Sequence, residues 1–104
     1  MNTTLLPDLA TFVLIVDQGS FSAAARMSGA TPSAMSRCVS RLEQALGNKL
    51  LHRTTRKLRL SESGLSVYEH AQMMLEAARQ AMNAGSSVQD IAQGTLTISV
   101  PKAV

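Results

Sequence analysis

The sequence has few of the residues from which disulfides, metal sites and catalytic centres are built. Its 104 residues include one cysteine, Cys38, and two histidines, His52 and His70. A single cysteine excludes an internal disulfide and fits a reducing compartment. Metal and nucleophilic sites need convergent His, Cys or carboxylate groups, and no such set stands in a recognisable motif. We therefore predict no catalytic residues, no metal ligands, no cofactor and no enzymatic activity.

For these three residues we expect ordinary structural positions. Cys38 falls at the edge of an apolar helix face, where burial as a small hydrophobic residue is the usual outcome for a thiol. We expect His52 to be a partly buried strand residue and His70 to be a solvated helix residue.

Aromatic residues and long apolar runs are also scarce. Aromatics make up 3% of the chain, whereas apolar residues make up 45%, so we expect a core rich in aliphatic side chains, Met and Ala. No stretch approaches the roughly 20 apolar residues that a membrane span needs. Residues 9–16 form too short an apolar run for a secretory signal, and Asp8 precedes them. We expect one domain, or one domain with an appendage, located in the cytoplasm and away from membranes.

Acidic residues are almost missing from the middle of the chain. Between Arg26 and Arg59 lie eight of the ten basic residues and one acid, Glu43, which gives this segment a net charge of +7. The rest of the chain sums to −4. Positive charge concentrated in one sub-region is typical of a protein with a polyanionic partner, because binding releases that partner's counterions.

A polar helix lies within this basic segment, at residues 31–46. Thr31 can cap its start, Pro32 suits the first helical position, and Gly47 ends it. The helical period places four apolar residues on one side, namely Met35, Val39, Leu42 and Leu46. The other side carries small hydroxyls and an arginine, namely Ser33, Ser36, Arg37 and Ser40, together with Gln44. Because arginine binds guanine bidentately, this side suits the major groove of DNA, although an ordinary surface helix fits the same pattern.

Two further helices precede this one. The first runs from about Leu5 to Asp17, with Leu14 and Ile15 off its core stripe, so these two residues face another element, a second subunit or solvent. The second, FSAAARMS, follows Gln18-Gly19 and is capped by Ser20 or Ser22. Its three alanines allow another helix to cross closely. Two short helices joined by a tight turn containing Gly29 form a helix-turn-helix pattern.

After Gly47 the pattern changes to period two. Residues 50–53 and 58–60 are predicted to be strands, joined by a basic turn over 54–57. Such a hairpin beside a helix-turn-helix is a wing, and its cations Arg53, Arg56 and Lys57 can reach phosphates or a narrow minor groove. The alternative is a solvated hairpin whose charges only protect its edge.

A long helix follows from Glu62 to about Ile91, capped by Ser61. Its apolar residues recur at spacings of three and four, as in a coiled-coil seam, and are Leu65, Tyr68, Ala71, Leu75, Ala78 and Met82. This length favours a partner helix from a second copy over packing within the domain. After Gly94, residues 95–100 alternate like a strand with no partner, so we expect a further domain to begin there.

Several motifs occur in a fixed order along these elements. They are Ser20-Phe21, Ser36-Arg37, Leu42-Glu43, Leu46-Gly47, Arg53, Arg56 and Leu60-Ser61 with Gly64. In this order the chain resembles the amino-terminal DNA-binding region of the LysR-type bacterial transcriptional regulators. Many members carry glutamine at the position of Pro32 and use it to contact bases. The Thr-Pro-Ser variant here shifts that role to Ser33, Ser36 and Arg37.

The resemblance implies a mainly α fold, with a winged helix-turn-helix of three helices and a two-stranded wing over residues 1–61. A dimerising linker helix over 62–92 and the start of an effector-binding domain over 93–104 would follow. It also implies a dimer on an interrupted palindrome in double-stranded DNA, tetramers of the full-length protein, and a small-molecule effector bound only by the further domain. The implied DNA contacts are Ser22, Thr31, Pro32, Ser33, Ser36, Arg37, Ser40, Arg53, Arg56 and Lys57.

A different class of protein remains open beside this one. A winged-helix module that binds proteins and never touches DNA would have the same helices and hairpin. Such a module has no need of a net charge of +7 on the helix and wing, so the distribution of charge discriminates the two classes.

Overall fold

The computed structural model describes residues 5–53 and 58–92. In these ranges the elements follow the order α1 (Leu6–Gln18), α2 (Phe21–Ser28), α3 (Pro32–Leu46), β1 (Leu51–Arg53), β2 (Leu58–Leu60) and α4 (Glu62–Ala92). The predicted winged helix-turn-helix with a long last helix is confirmed. The predicted turn over 54–57 and the predicted strand over 95–100 lie outside the described residues.

Local capping interactions set the helix boundaries. The Ser20 hydroxyl accepts a hydrogen bond from the Ala23 N–H at 3.0 Å, and the Thr31 hydroxyl accepts one from the Ala34 N–H at 3.1 Å. Ser20, rather than Ser22, is therefore the cap of α2. At its other end α3 stops at Gly47, whose φ of +73° is a left-handed conformation that glycine adopts without strain.

The three N-terminal helices share one core with the start of the wing. The cluster is aliphatic and alanine-rich, as the composition predicts, and consists of Phe12, Ile15, Ala24, Ala25, Met35, Val39, Leu42, Leu50 and Leu51. Ile15 is 0% exposed and Leu14 packs against the cluster. Of the alternatives for these two residues, contact with other elements of the same chain is therefore the one observed. Leu46, expected on the apolar side of α3, is 47% exposed at the end of the helix.

The wing is an antiparallel pair with the register Leu51↔Leu60, His52↔Arg59 and Arg53↔Leu58. It is joined to the start of α4 by Ser61. The Ser61 N–H donates to the Leu50 carbonyl at 3.0 Å, while its hydroxyl donates to the Lys49 carbonyl at 2.6 Å and accepts from the Gly64 N–H at 2.9 Å. One serine thus both caps α4 and ties it to the chain entering β1.

The chain divides into two compact units, Met1–Gln72 and Met73–Val104, and α4 contributes residues to both. Within the first unit, Tyr68 on α4 packs against the core and its hydroxyl donates a hydrogen bond to Asp17, near the end of α1. Among the residues described, none of the helices combines the length and the apolarity that a membrane crossing requires.

Candidate nucleic-acid interface

The polar side of α3 faces solvent over most of its length. Ser33, Arg37 and Ser40 are exposed, as is Pro32 in the first turn, whereas the opposite side is buried in the core. Burial of one side of a helix in a core presents the other side as a continuous surface. The predicted base-reading side of α3 is therefore accessible.

Ser36, in the middle of this side, is half-buried because Arg53 of the wing reaches it. One terminal guanidinium nitrogen of Arg53 donates a hydrogen bond to the Ser36 hydroxyl at 3.0 Å. The same guanidinium lies over the ring of Phe21, 5.0 Å from its centroid. The fold thus brings together three residues from the start of α2, the middle of α3 and the end of β1.

Strand alternation explains the position of Arg53 and corrects the expectation for His52. Leu51 is buried, so Arg53, two residues later, projects from the same side of the strand toward the helices. His52 projects from the opposite side and is exposed, opposite the exposed Arg59. The expected partial burial of His52 is wrong, because the buried Leu51 forces its neighbour outward. His70 is exposed, as predicted.

Glu43 holds the base of the wing against α3, a function that the sequence did not reveal. Its Oε2 accepts hydrogen bonds from the N–H groups of Leu50 at 2.9 Å and Leu51 at 3.2 Å. Leu50 and Leu51 are fully buried in the core, where an unpartnered N–H is costly. The acid of the Leu-Glu motif therefore fixes where the wing leaves the core.

Among the described residues, Arg41 is the cation of the basic segment that forms an ion pair. Its guanidinium makes a bidentate ion pair with Asp8 of α1, with both N···O distances 2.9 Å. Asp8 is 5% exposed, and its hydrogen bonds with Arg41 lower the pKa of its carboxyl group. Arg41 also donates a hydrogen bond to the sulfur of Cys38. The pKa of the Cys38 thiol is raised, mainly because of its burial. Arg41 is thus engaged in joining α3 to α1.

Two of the remaining predicted contacts lie near helix starts. Ser22 is exposed in the first turn of α2, and Thr31 is exposed while its hydroxyl caps α3. Arg56 and Lys57 fall outside the described residues. Within the described ranges, no group of three or more His, Cys, Asp or Glu side chains is placed to hold a metal ion.

The predicted seam residues of α4 occupy different environments. In the first unit, Ala71 is 3% exposed and Tyr68 is half-buried, so the chain itself already covers much of their surface, whereas Leu65 is exposed. In the second unit, Leu75 is half-buried, Ala78 is exposed and Met82 is 77% exposed.

A sequence model described as "Bacterial regulatory helix-turn-helix protein, lysR family" matches residues 6–65. The chain belongs to the LysR family. The match extends from α1 to the first turn of α4 and includes every element that builds the surface described above. The resemblance inferred from the ordered motifs is thereby confirmed.

Relatives and solved structures agree with this membership. The probable HTH-type transcriptional regulator LtrA of Klebsiella pneumoniae is 70% identical over 104 residues, which cover 100% of this chain and 34% of LtrA. The HTH-type transcriptional regulator DmlR of Escherichia coli (strain K12) is 40% identical over 97 residues, covering 93% of this chain and 32% of DmlR. Since these relatives are regulators, the prediction that the chain is not an enzyme is confirmed. The chain spans about a third of their length.

Two structural neighbours are DNA-binding domains solved with DNA. The BenM domain in complex with catB site 1 DNA superposes with a TM-score of 0.74 at 29% identity, covering 95% of this chain and 100% of that chain. The CbnR domain in its DNA complex gives a TM-score of 0.73 at 26% identity, covering 86% of this chain and 99% of that one. This LysR chain therefore has the fold of domains that have been observed on DNA.

Proposed function

We propose that this chain is the sequence-specific DNA-binding domain of a transcriptional regulator and that it binds an interrupted palindrome as a homodimer. In each copy α3 enters the major groove, and the wing contacts the backbone or the minor groove. The observation that carries the proposal is the accessible polar side of α3, which presents Ser33, Arg37 and Ser40 on a helix held rigidly by its buried side.

Arg37 is the main base-reading residue in this proposal. Its exposed guanidinium offers the bidentate donor pair that matches O6 and N7 of guanine. Ser33, Ser40 and the ring of Pro32 lie along the same side and contact base edges or phosphates. Ser22 and Thr31 contact phosphates from the starts of α2 and α3, where the helix dipole favours anions.

The Ser36 hydroxyl is proposed to donate a hydrogen bond to DNA. A serine hydroxyl has one donor and two acceptor sites, and the bond from Arg53 uses one acceptor site. The hydroxyl proton can still be donated toward DNA, whose phosphates and purine edges offer acceptors. Ser36 therefore acts in this proposal as a donor to DNA while it positions the wing arginine.

The charge distribution favours DNA over a protein partner. Arg41 is paired with Asp8, and the other described cations of the basic segment are exposed. They are Arg26 on α2, Arg37 on α3, Lys49 between α3 and β1, and Arg53 and Arg59 in the wing. Arg56 and Lys57, which the sequence predicts to lie in a turn, are proposed as further backbone contacts. A surface of this kind suits a polyanion.

The proposed dimer pairs α4 with its copy in a second chain. Because Tyr68 and Ala71 are largely covered within the first unit, the seam relies mainly on Leu65, Ala78 and Met82, with Leu75 at its centre. Pairing of the helices would set the distance between two copies of α3, as half-site spacing requires.

The longer protein implied by the relatives' length would add an effector-binding domain after residue 93. We propose that this domain binds a small molecule, that it assembles tetramers, and that the protein is found in the cytoplasm on the nucleoid. Residues 1–61 would form the DNA-binding domain, residues 62–92 the linker helix, and residues 93–104 the hinge and first strand of the further domain.

Selection of bound duplexes from a random pool tests the proposal directly, because a dimer should enrich a two-fold site. Arg37→Ala should then reduce discrimination between the selected and a scrambled duplex by about 1–3 kcal/mol. Arg79→Ala removes the same charge from α4, where Arg79 is paired with Glu76, and should leave discrimination unchanged. Equal losses on both duplexes for Arg37→Ala would remove it from base recognition, and no enrichment at all would refute the function.

A further inference from the structure

Arg53 is held at two points by residues outside its own hairpin. Ser36 accepts a hydrogen bond from one of its terminal nitrogens, and the Arg53 guanidinium carbon lies over the ring of Phe21, 5.0 Å from the centroid. Arginine has five N–H donors in a rigid fork. The bond to Ser36 uses one donor. Among the described residues, these two contacts orient the guanidinium and hydrogen-bond only one of its N–H groups to the protein, so other N–H groups can bind a partner.

Phe21 is well suited to support a cation. It is the first residue of α2, directly after the cap Ser20, and it is half-buried against the core cluster. The core and the capped helix start thus hold the ring on one side, while the guanidinium covers its face. A ring fixed in this way presents the negative face of its π system at a defined place.

We propose that Phe21 is a positioning residue for DNA binding, because it holds the Arg53 guanidinium in the orientation in which it grips a backbone phosphate. The inference rests on the proposed function and assigns a role to a residue that does not itself contact DNA. A long arginine side chain loses rotamer entropy when it binds. Prior fixation by Phe21 and Ser36 reduces that loss at the moment of binding.

A double-mutant cycle on the 104-residue chain separates this role from simple stability. Phe21→Leu keeps an apolar side chain but removes the π face, and Phe21→Tyr keeps the face. Each is combined with intact Arg53 and with Arg53→Ala. Dissociation constants are measured by fluorescence anisotropy with a labelled, mixed-sequence duplex of about three helical turns. Melting temperatures of all variants show whether each is folded.

With Arg53 intact, Phe21→Leu should weaken binding about two- to tenfold, the range expected when one long side chain must be immobilised on binding. With Arg53→Ala the same change should have no effect, and Phe21→Tyr should bind like the unaltered chain. The slope of binding against salt should become shallower by about one unit for Arg53→Ala. Equal losses from Phe21→Leu in both backgrounds, or a loss for Phe21→Tyr, would show a purely structural role and overturn the inference.

NMR of the free protein provides a second measurement that needs no DNA. Ring currents of Phe21 should shift the side-chain signals of Arg53, and Phe21→Leu should abolish that shift. Absence of the shift in the unaltered chain would overturn the inference even if Phe21→Leu fails to fold. If the shift is present but the unaltered chain binds no duplex, the proposed function fails and the positioning role fails with it. Binding of the unaltered chain with no effect of Arg53→Ala would overturn the positioning role alone.

Discussion

Gly64 in the first turn of α4 occupies a place where no side chain fits. A Cβ built on it would stand 2.0 Å from the carbonyl oxygen of Leu50 and 3.2 Å from a methyl group of Leu60. That carbonyl cannot move independently, because it accepts a hydrogen bond from the Ser61 N–H at 3.0 Å and Leu50 is buried in the core. Gly64→Ala should therefore disrupt the joint between the wing and α4.

The expected loss of stability combines two destabilising contributions and one stabilising contribution. The oxygen would have to retreat by at least about 1 Å to reach a tolerable 3.0 Å, and overpacking of this kind costs about 1–3 kcal/mol. Weakening of the Ser61 hydrogen bonds adds about 1 kcal/mol. Alanine gains up to about 1 kcal/mol over glycine as a helix former. We expect a net loss of about 2 kcal/mol in the free energy of unfolding, or about 8–16 °C in melting temperature.

Thermal melting followed by far-UV circular dichroism measures this loss, and the same helix contains its control. Within the described residues, a Cβ on Gly85 would meet no atom closer than 4 Å, so Gly85→Ala should raise the stability by up to about 1 kcal/mol. We therefore predict that the two glycine-to-alanine substitutions in α4 change the stability in opposite directions. If Gly64→Ala melts at or above the temperature of the unaltered chain, Gly64 does not lie as close to Leu50 and Leu60 as the structure has it.

Three further predictions concern other contacts. Glu43→Ala removes the acceptor for two buried strand N–H groups and should cost about 2 kcal/mol in urea unfolding, whereas Glu43→Gln, which keeps an oxygen, should cost less. Because Arg41 lowers the folded-state pKa of Asp8, that carboxylate stabilises the fold above its ordinary pKa of about 3.9 and loses this effect as pH falls through the lowered value. Asp8→Asn should therefore be less stable at neutral pH and converge with the unaltered chain in acid unfolding. Leu75→Glu should shift sedimentation from dimer to monomer, whereas Gln80→Glu should not, and an intact dimer with Leu75→Glu would contradict the seam.

Local sequence signals predicted the fold well because local interactions set its boundaries. The helix expected over 31–46 is observed as Pro32–Leu46, and its cap bond spans three residues. The strand expected over 58–60 is observed with the same bounds. Caps, left-handed glycines and periodic burial all act within a few residues, so they leave a readable pattern. Two predicted environments differ from the structure: Leu46 is exposed at the end of α3, and His52 is exposed although alternation from a buried Leu51 would have placed it on the outer side.

The arrangement of the site was harder to predict, because it depends on pairs that are distant in sequence. Arg41 and Asp8 are 33 residues apart, and Arg53 and Ser36 are 17 apart, and neither spacing belongs to a helical or strand period. The net charge of the basic segment includes Arg41, but only the fold shows that Arg41 is paired with Asp8 of α1. The sequence also assigned Arg53 to the wing alone, whereas the strand aims it at α3. A net charge identifies the class of partner, but tertiary contacts decide which cations can meet that partner and in what orientation. For that reason the proposed surface also depends on Phe21 and Glu43, which contribute no positive charge but contact Arg53 and the base of the wing.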